Sequence, residues 1–590
     1  MDNKIRTIYQ AIKKWAVEHP NKAALVCPGG EFISYGQLFR DIRQIGNFLR
    51  GKNIGAKDAV AIVFSRSIEE VVVNLGIASF ASAVPLNPEH SQVEFEYFFK
   101  NFGIKALLTD NNLPEEAGKA AKKQAIPVIK IKTGEGGAFD GNTKKSERIL
   151  NTAFLLHTSG TTGKPKIVPL SHRNLYFGAK NLEKSLKLGS CDRCLSVMPL
   201  FHVHGLMVMI ATIFTGGFFV YTPKFDREAF WEWLDEFKPT WYTASAALQQ
   251  YIVGRADKHK SVIKRQKLRL IRSSSAPLPK ETTEKLERIF KAPVAESYGM
   301  TEAALQITSQ PLPPAKRKFG SVGKPAGVEI KITDEQEKIL PAGEIGEIII
   351  RGDNVIRAYG NNPEANRKSF WRGWLKTGDL GFIDKDGFIF IKGRIKEMIN
   401  KGGEKISPRE IDEALLRHRA IEQAVAFSVP HKELGEDIAA AVVMKQGKKF
   451  KESEIRGFLA GELAGFKIPS RIIEADELPK TGAGKLKRVG LYEEFKYLLN
   501  PVKRPETATR GCDKKMLKNN QKTEEILIKI WQEALGVREI NSVDNFFELG
   551  GDSLKAGEII SKATKLGLVI ELKDLLNHPT IAGLVKFINK

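Results

Sequence analysis

The sequence predicts an α/β protein with a large multi-subdomain N-terminal part, a small α+β part behind it, and an all-α four-helix unit at the end. Three observations carry this. Over the first ~390 residues, short apolar strand-like runs alternate with helical patterns, which indicates largely parallel sheets. The pattern changes after Gly393-Arg394 into a compact unit of about 100 residues. The last 68 residues hold only helical patterns.

The elements follow in order. AVAIVF at 59–64, ALLT at 106–109 and PVIKI at 127–131 are the strand-like runs of the first part. Lys132–Arg148 is polar and Gly-rich and reads as a surface connection. Gly205–Tyr221 carries no charge and is close to the minimum length for a membrane span. Gly216-Gly217 splits it, so a buried helix followed by a buried strand is expected, and no span. Gly320–Ile391 is β-rich, with Gly-bounded runs such as GEIGEIIIRG and GFIFIKG. Ser407-Pro408-Arg409-Glu410 has capping-box spacing with proline at the first helical position, and predicts a helix over 407–418. AVAFSVP and IAAAVVMK then read as strands. Residues 501–522 combine two prolines with many charges and few large apolar groups, which is linker composition. TEEILIKIWQEAL, LKAGEIISKATKL, ELKDLLNH and TIAGLVKFINK are the helical patterns of the tail. The expected boundaries are 1–395, 396–500, a linker at 501–522, and 523–590.

Composition narrows the class. The chain has 590 residues, 42% hydrophobic and 27% charged, which allows large cores and argues against global disorder. Four cysteines exclude a disulfide-stapled secreted scaffold and fit a reducing, cytoplasmic setting. The polar N-terminus has no apolar h-region, so no signal peptide is expected. The formal charge is +23. The linker is net +5 and the final 68 residues net −2, so the excess sits in the first 500. This reads as a lysine-rich solvated surface. No nucleic-acid motif accompanies it, and no nucleic-acid partner is expected.

Chemistry concentrates in a few segments. In LLHTSGTTGKPKIVPLSHRNL, 155–175, apolar residues lead into Thr158, Ser159, Gly160, Thr161, Thr162 and Gly163, with Lys164 and Lys166 behind them. Small residues let backbone N–H groups wrap an anion, hydroxyls add donors, and lysines add positive charge. A Walker loop does not fit, because Lys164 is followed by Pro165 and the glycine spacing differs. A flexible Gly/Thr loop is the plainer alternative. YGMTE at 298–302, TGD at 377–379, GRIKEMINKGGEKISPREID at 393–412 and PKTGAGK at 479–485 follow in order.

Across about residues 1–495 these segments resemble the adenylate-forming superfamily of acyl-CoA synthetases, nonribosomal peptide synthetase adenylation domains and luciferases. PLFHVHGL at 199–206, TWYTASAALQQ at 240–250 and RSSSAPLP at 272–279 look most like the oxalate- and coumarate-type CoA ligases. The resemblance implies a two-step reaction. A carboxylate attacks the α-phosphate of Mg·ATP to give an acyl-adenylate and pyrophosphate, and a thiol then takes the acyl group. It implies that the 158–166 loop holds the β- and γ-phosphates, that Thr301 contacts the α-phosphate, and that Glu302 ligates Mg²⁺. A hard cation between phosphate oxygens suits a carboxylate. Asp379 would accept from the ribose hydroxyls, with Arg394 in support. Ser275, Ala276 and Pro277, with Glu296, Ser297 and Tyr298, would line the adenine slot. Lys485 would bridge the carboxylate and the α-phosphate, where charge develops. Ala483 stands where relatives often have Ser or Thr.

The same resemblance makes Lys396 a hinge about which a mobile small domain swings. It places Gly402 and Gly403 on the thiol tunnel, where backbone approaches a narrow ligand; an ordinary tight turn is the other reading. His202 would lie beside the acid, or be a satisfied core histidine; His204 would be pocket or packing. Tyr242, Ser273, Ser274, Gly299, Ala303 and Ala304 complete the expected acyl pocket. Cys191-x-x-Cys194 has no second Cys/His pair at zinc spacing and reads as structural.

In the tail, DNFFELGGDSLKA at 544–556 resembles the attachment site of acyl and peptidyl carrier proteins. It implies a 4′-phosphopantetheine on Ser553, just ahead of a helical pattern, or else an unmodified N-cap serine. A helix N-terminus suits a phosphodiester. The expected activity is ATP-dependent activation of a carboxylic acid and loading onto the chain's own Ser553 arm. The alternatives are transfer to free CoA, or a degenerate scaffold used for interaction. Intact Glu302, Asp379, Arg394 and Lys485 argue against decay. Neither HHxxxDG nor GxSxG is present, so a downstream acyl-accepting enzyme is expected, and a phosphopantetheinyl transferase upstream. Phe201 is followed by His202 where amino-acid-activating relatives usually place an Asp. A small aliphatic, dicarboxylic or aryl acid is therefore expected.

Overall fold

The computed structural model describes residues 6–30, 32–131, 152–158, 165–479, 488, 490–499, 516–537, 540–546, 549, 553–566, 568, 570, 574–575 and 578–588. The chain divides into two compact units, 1–500 and 501–590.

Two largely parallel sheets build the first 300 residues. One runs Val128–Lys130, Ile104–Thr109, Ala59–Val63, Ser82–Pro85, Thr152–Thr158, Lys166–Ser171, with only the last strand antiparallel. The other runs Val294–Glu296, Leu270–Ser274, Trp241–Ser245, Arg193–Ser196, Phe218–Tyr221, Ala23–Val26, Ile33–Ser34, again with an antiparallel last strand. The largest core joins side chains of both sheets to helices Ile68–Phe80, His172–Leu186 and Val203–Thr215. Parallel sheets need both faces covered, and the outer face of the seven-stranded sheet packs a second core around Trp231, Tyr242 and Phe290.

The uncharged 205–221 run folds as its composition predicts. Helix Val203–Thr215 is buried from His204 through Ile213, ends at Gly216 with φ +73°, and is followed by strand Phe218–Tyr221. Gly205 is required by close approach, since a Cβ there would lie 2.4 Å from the Pro199 carbonyl oxygen. Among the described residues no helix is long and apolar enough to cross a membrane.

A five-stranded antiparallel sheet follows in the β-rich part. Its longest strand, Trp374–Ile383, pairs with Ile389–Arg394 so that Asp379 faces Arg394. The next sheet comprises Glu404–Ile406, Ile399–Lys401, Gly435–Met444, Ile421–His431 and Arg471–Glu474, with helices Pro408–Leu416, Glu452–Ala460 and Leu491–Leu499. Pro408 opens its helix as expected, but the capping box does not form. The Ser407 hydroxyl instead donates to the Lys392 carbonyl at 2.5 Å.

In the second unit, helices Met516–Leu535, Ser553–Lys565 and Ile581–Ile588 pack around Trp531, Phe546, Ile559 and Leu584. The first of them begins inside the stretch read as linker. Its Met, Leu, Lys and Gln residues are good helix formers, and they extend the amphipathic pattern backward from Thr523.

One buried acid makes a stability prediction. Glu70, on helix Ile68–Phe80, accepts from the Tyr221 hydroxyl at 2.8 Å, and burial pushes its carboxyl up to about 8. The folded chain then binds a proton that the unfolded chain has released between pH ~4.5 and ~8, so stability falls as pH rises through that window. Glu70→Gln keeps an acceptor for Tyr221 and removes the titration. The variant should resist urea better than the parent at pH 8, by on the order of 1–3 kcal/mol, and match it near pH 5.

Candidate active site

Glu302 is the centre of the site. Strands Gly299–Met300 and Leu305–Gln306 pair antiparallel, and a 3₁₀ turn, Thr301–Ala303, joins them. Ala304 and Leu305 hold φ of +44° and +82° to close this turn. Gly299 is obligatory, because a Cβ there would lie 1.5 Å from the Leu305 carbonyl oxygen. Buried Asn354 donates to the Ala303 and Gln306 carbonyls at 2.7 and 3.1 Å, and the Ile356 amide donates to the Glu302 carbonyl at 2.8 Å. The turn therefore has little freedom, and it carries the Glu302 side chain inward to 6% exposure.

Three groups face that carboxylate. The Tyr359 hydroxyl donates to Glu302 Oε1 at 2.8 Å. Lys166 Nζ sits 4.4 Å above the Tyr359 ring, and both Lys166 and Arg394 interact electrostatically with Glu302. Burial lifts the Glu302 carboxyl above the ordinary range, and Tyr359, Arg394 and Lys166 pull it back in part. Lys166 is held down by burial and by Lys396, and is drawn up by Glu302. The carboxylate is the kind of oxygen ligand a hard divalent cation takes, and the Lys166 and Arg394 charges beside it suit the phosphates that such a cation accompanies.

Asp379 lies next to this cluster. It is 3% exposed, accepts from the Tyr298 hydroxyl at 2.5 Å, and pairs with Arg394 Nε at 2.9 Å. The cross-strand register of Asp379 and Arg394 sets that pair. Thr301 is half-buried one residue before Glu302. Glu296 accepts from the Leu278 amide at 3.1 Å, and burial pushes its carboxyl up to about 7. It thus backs the turn that carries Ser275 and the exposed Ala276 and Pro277. Ser297 is buried, and its carbonyl accepts from Ser274 Oγ at 3.1 Å.

The histidines separate. His202 caps helix Val203–Thr215 and packs edge-on against Phe201. His157, next to last in strand Thr152–Thr158, stacks on Phe98 at 4.2 Å, and is held down to about 3 by burial and by His90 and His202. His204 is 2% exposed. Its Nδ1 meets Ser275 Oγ at 3.0 Å, and its Nε2 meets Thr243 Oγ1 at 2.7 Å and Arg272 Nη1 at 2.8 Å. Ser275 holds φ +79° to present that hydroxyl. Strand alternation puts Thr243 and Arg272 on the His204 side of the sheet. Tyr242, expected in the acyl pocket, points the other way, packs with Phe230 and Phe290, and donates to Gln249 at 2.8 Å. Ser273 alternates to that outer side as well, and Ser274 returns to the inner one. Ala303 and Ala304 are fully buried at the Glu302 turn, and Ala304 lies against Gly178.

Lys396 is exposed in the 3₁₀ turn Ile395–Glu397. Gly402 and Gly403, at φ +59° and +94°, form the two-residue link between Ile399–Lys401 and Glu404–Ile406. The turn alone explains both glycines. Ser159 through Gly163 and Lys485 lie outside the described residues, and Ser553 opens helix Ser553–Lys565. Cys191 is exposed and Cys194 is buried on its strand. Sequence reasoning missed Tyr359, Arg272, Thr243 and His157. Tyr359 in VIRAYG carries no signal beyond an aromatic ahead of a glycine, whereas Arg272 was visible as a charge inside a strand-like run.

The chain matches the AMP-binding enzyme family over residues 12–360, its C-terminal domain over 410–485, and the phosphopantetheine attachment site over 525–588. It belongs to the AMP-binding enzyme family. It is 38% identical to an oxalate–CoA ligase of Arabidopsis thaliana, over 83% of this chain and 98% of the relative. It is 32% identical to a sulfoacetate–CoA ligase of Cupriavidus necator, over 82% and 97%. Among solved structures, ATP-bound MatB from Rhodopseudomonas palustris superposes with a TM-score of 0.77 at 28% identity, covering 84% and 99%. The chain is an adenylate-forming ligase that uses ATP and Mg²⁺, with a 4′-phosphopantetheine carrier domain in its second unit.

Removing the Tyr359 hydroxyl withdraws a donor from the ionised form of Glu302. Tyr359→Phe should raise the Glu302 carboxyl further. The acid limb of the pH profile for acid-dependent ATP–pyrophosphate exchange should then move to higher pH. An unmoved limb would separate Glu302 from the titration that governs the rate.

Proposed function

We propose that this chain activates a small carboxylic acid as its adenylate and loads it onto its own carrier through Ser553. One observation carries the reading: a single chain contains both an acid-activating unit and a carrier unit. The roles follow the resemblance, and for Glu302, Asp379 and Arg394 the geometry above supports them. Glu302 holds the cation, and Thr301 contacts the α-phosphate. Ser159–Gly163 and Lys166 take the outer phosphates. Asp379 accepts from the ribose hydroxyls while Arg394 and Tyr298 hold it in place. The 275–277 turn and residues 296–298 flank the base. His202 and the Glu302 turn border the acid, and Lys485 bridges its carboxylate and the α-phosphate as charge builds. Mg²⁺, when bound, neutralises phosphate charge; the phosphopantetheine arm supplies the accepting thiol.

Between the steps the small domain turns about Lys396, exchanging Lys485 for the Gly402–Gly403 hairpin. A phosphopantetheinyl transferase primes Ser553, and a separate enzyme takes the acyl group. Transfer to free CoA is the second reading, favoured by the CoA ligase names of the relatives. Their named substrates, oxalate and sulfoacetate, direct attention to short acids.

Intact-protein mass separates the two readings. After priming, the full chain with Mg·ATP and a panel of acids should gain a pantetheine shift and then an acyl shift, both mapping to Ser553. A pantetheine shift without an acyl shift, alongside acyl-CoA formation in the same panel, would establish the CoA reading instead. Lys485→Ala should lower adenylate formation by about 10²–10³-fold while the chain still transfers acyl groups from supplied adenylate. Undiminished adenylation would remove Lys485 from this role.

A further inference from the structure

Arg272 stands in the middle of strand Leu270–Ser274, is 0% exposed, and contacts no carboxylate among the described residues. Its Nη1 donates to His204 Nε2 at 2.8 Å and lies 3.4 Å from Thr243 Oγ1. Its Nε and Nη2 have no hydrogen-bond partner. A guanidinium forks in one plane, and the Nε–Nη2 edge is the one that matches an anion with two oxygens. Folding a strand with this group buried and half satisfied is unfavourable unless something else supplies the missing acceptors. Burial alone already pushes the guanidinium down to about 9.

The surroundings make the site directional. With Arg272 donating to Nε2, His204 carries its proton on Nδ1 and donates to Ser275 Oγ, so the imidazole is neutral and fixed at both ends. Ser274 stands two residues beyond Arg272 on the same face of the strand, Ser275 follows it, and His204 lies two residues beyond His202. The unsatisfied edge therefore belongs to the strand face that also carries Ser274, a residue expected in the acyl pocket.

We propose that Arg272 is a specificity-determining residue that takes, through Nε and Nη2, a second anionic group of the acid, so that this chain activates short acids bearing another carboxylate or sulfonate. The inference rests on the acid-activation reading and deepens it. A site built around an unpaired donor rejects an analogue that lacks the acceptor, because the donor is then left buried and unpaired.

The test uses the full chain and ATP–pyrophosphate exchange with oxalate, malonate and sulfoacetate, each diacid set against its monomethyl ester, and with acetate and propionate. At least one doubly anionic acid should exceed its singly charged counterpart in kcat/KM by roughly 100-fold or more. Arg272→Met should abolish that preference, mostly through a higher KM for the doubly charged acid. Arg272→Lys should restore part of the preference for the doubly charged acid. If Arg272→Met fails to fold, the Arg272→Lys variant and the parent's own ranking of acids still decide. Equal loss for both acid classes in Arg272→Met, or a parent that prefers the singly charged acids, would overturn the Arg272 assignment and leave adenylation standing. Exchange with none of these acids would overturn it too, and exchange with larger aryl acids would then show adenylation to be intact.

Discussion

A carboxylate kept in the interior organises the first unit. Glu302 could not stay there alone, since an isolated buried charge takes up a proton instead. The 3₁₀ turn and its two left-handed residues aim it inward, Asn354 fastens the turn, Tyr359 supplies a hydrogen bond, and Lys166 and Arg394 supply compensating charge. Each arrives from a different part of the fold. Lys166 comes from the six-stranded sheet, Tyr359 from the loop bridged to it at Ile167, and Arg394 from the antiparallel sheet. Keeping one charge buried thus ties three layers together.

Much of this was legible in the sequence because the signals are local. An uncharged run split by Gly216-Gly217 reads as a buried helix and strand, and it folds that way. The Asp379–Arg394 pair is two motifs brought opposite by ordinary antiparallel register. What was not legible depends on which side of a strand faces which helix. Tyr242 and Thr243 are adjacent in sequence and point to opposite cores, and nothing in TWYTAS says which is inward. Tyr359 is 57 residues from the carboxylate it serves. The Ser407 hydroxyl was drawn to Lys392 because a carbonyl fifteen residues away is closer in space than its own helix amide.

Buried polar groups here fall into two kinds. Gln249 and Asp379 have their hydrogen-bonding capacity directed at fixed partners, and they specify the fold. Arg272 is of the other kind, because its fixed contact orients it and leaves an edge over. A protein surface tolerates such a remainder through water, whereas the middle of a parallel sheet offers none.

Arg488, three residues beyond Lys485, reaches into the small α+β part. It pairs with Asp412 at 2.6 Å and with Glu397 at 3.2 Å, and donates to the Ala426 carbonyl. Glu397 is the neighbour of Lys396. In the proposed rotation about Lys396, Arg488 and Glu397 would therefore turn as one crank, transmitting angle without slack.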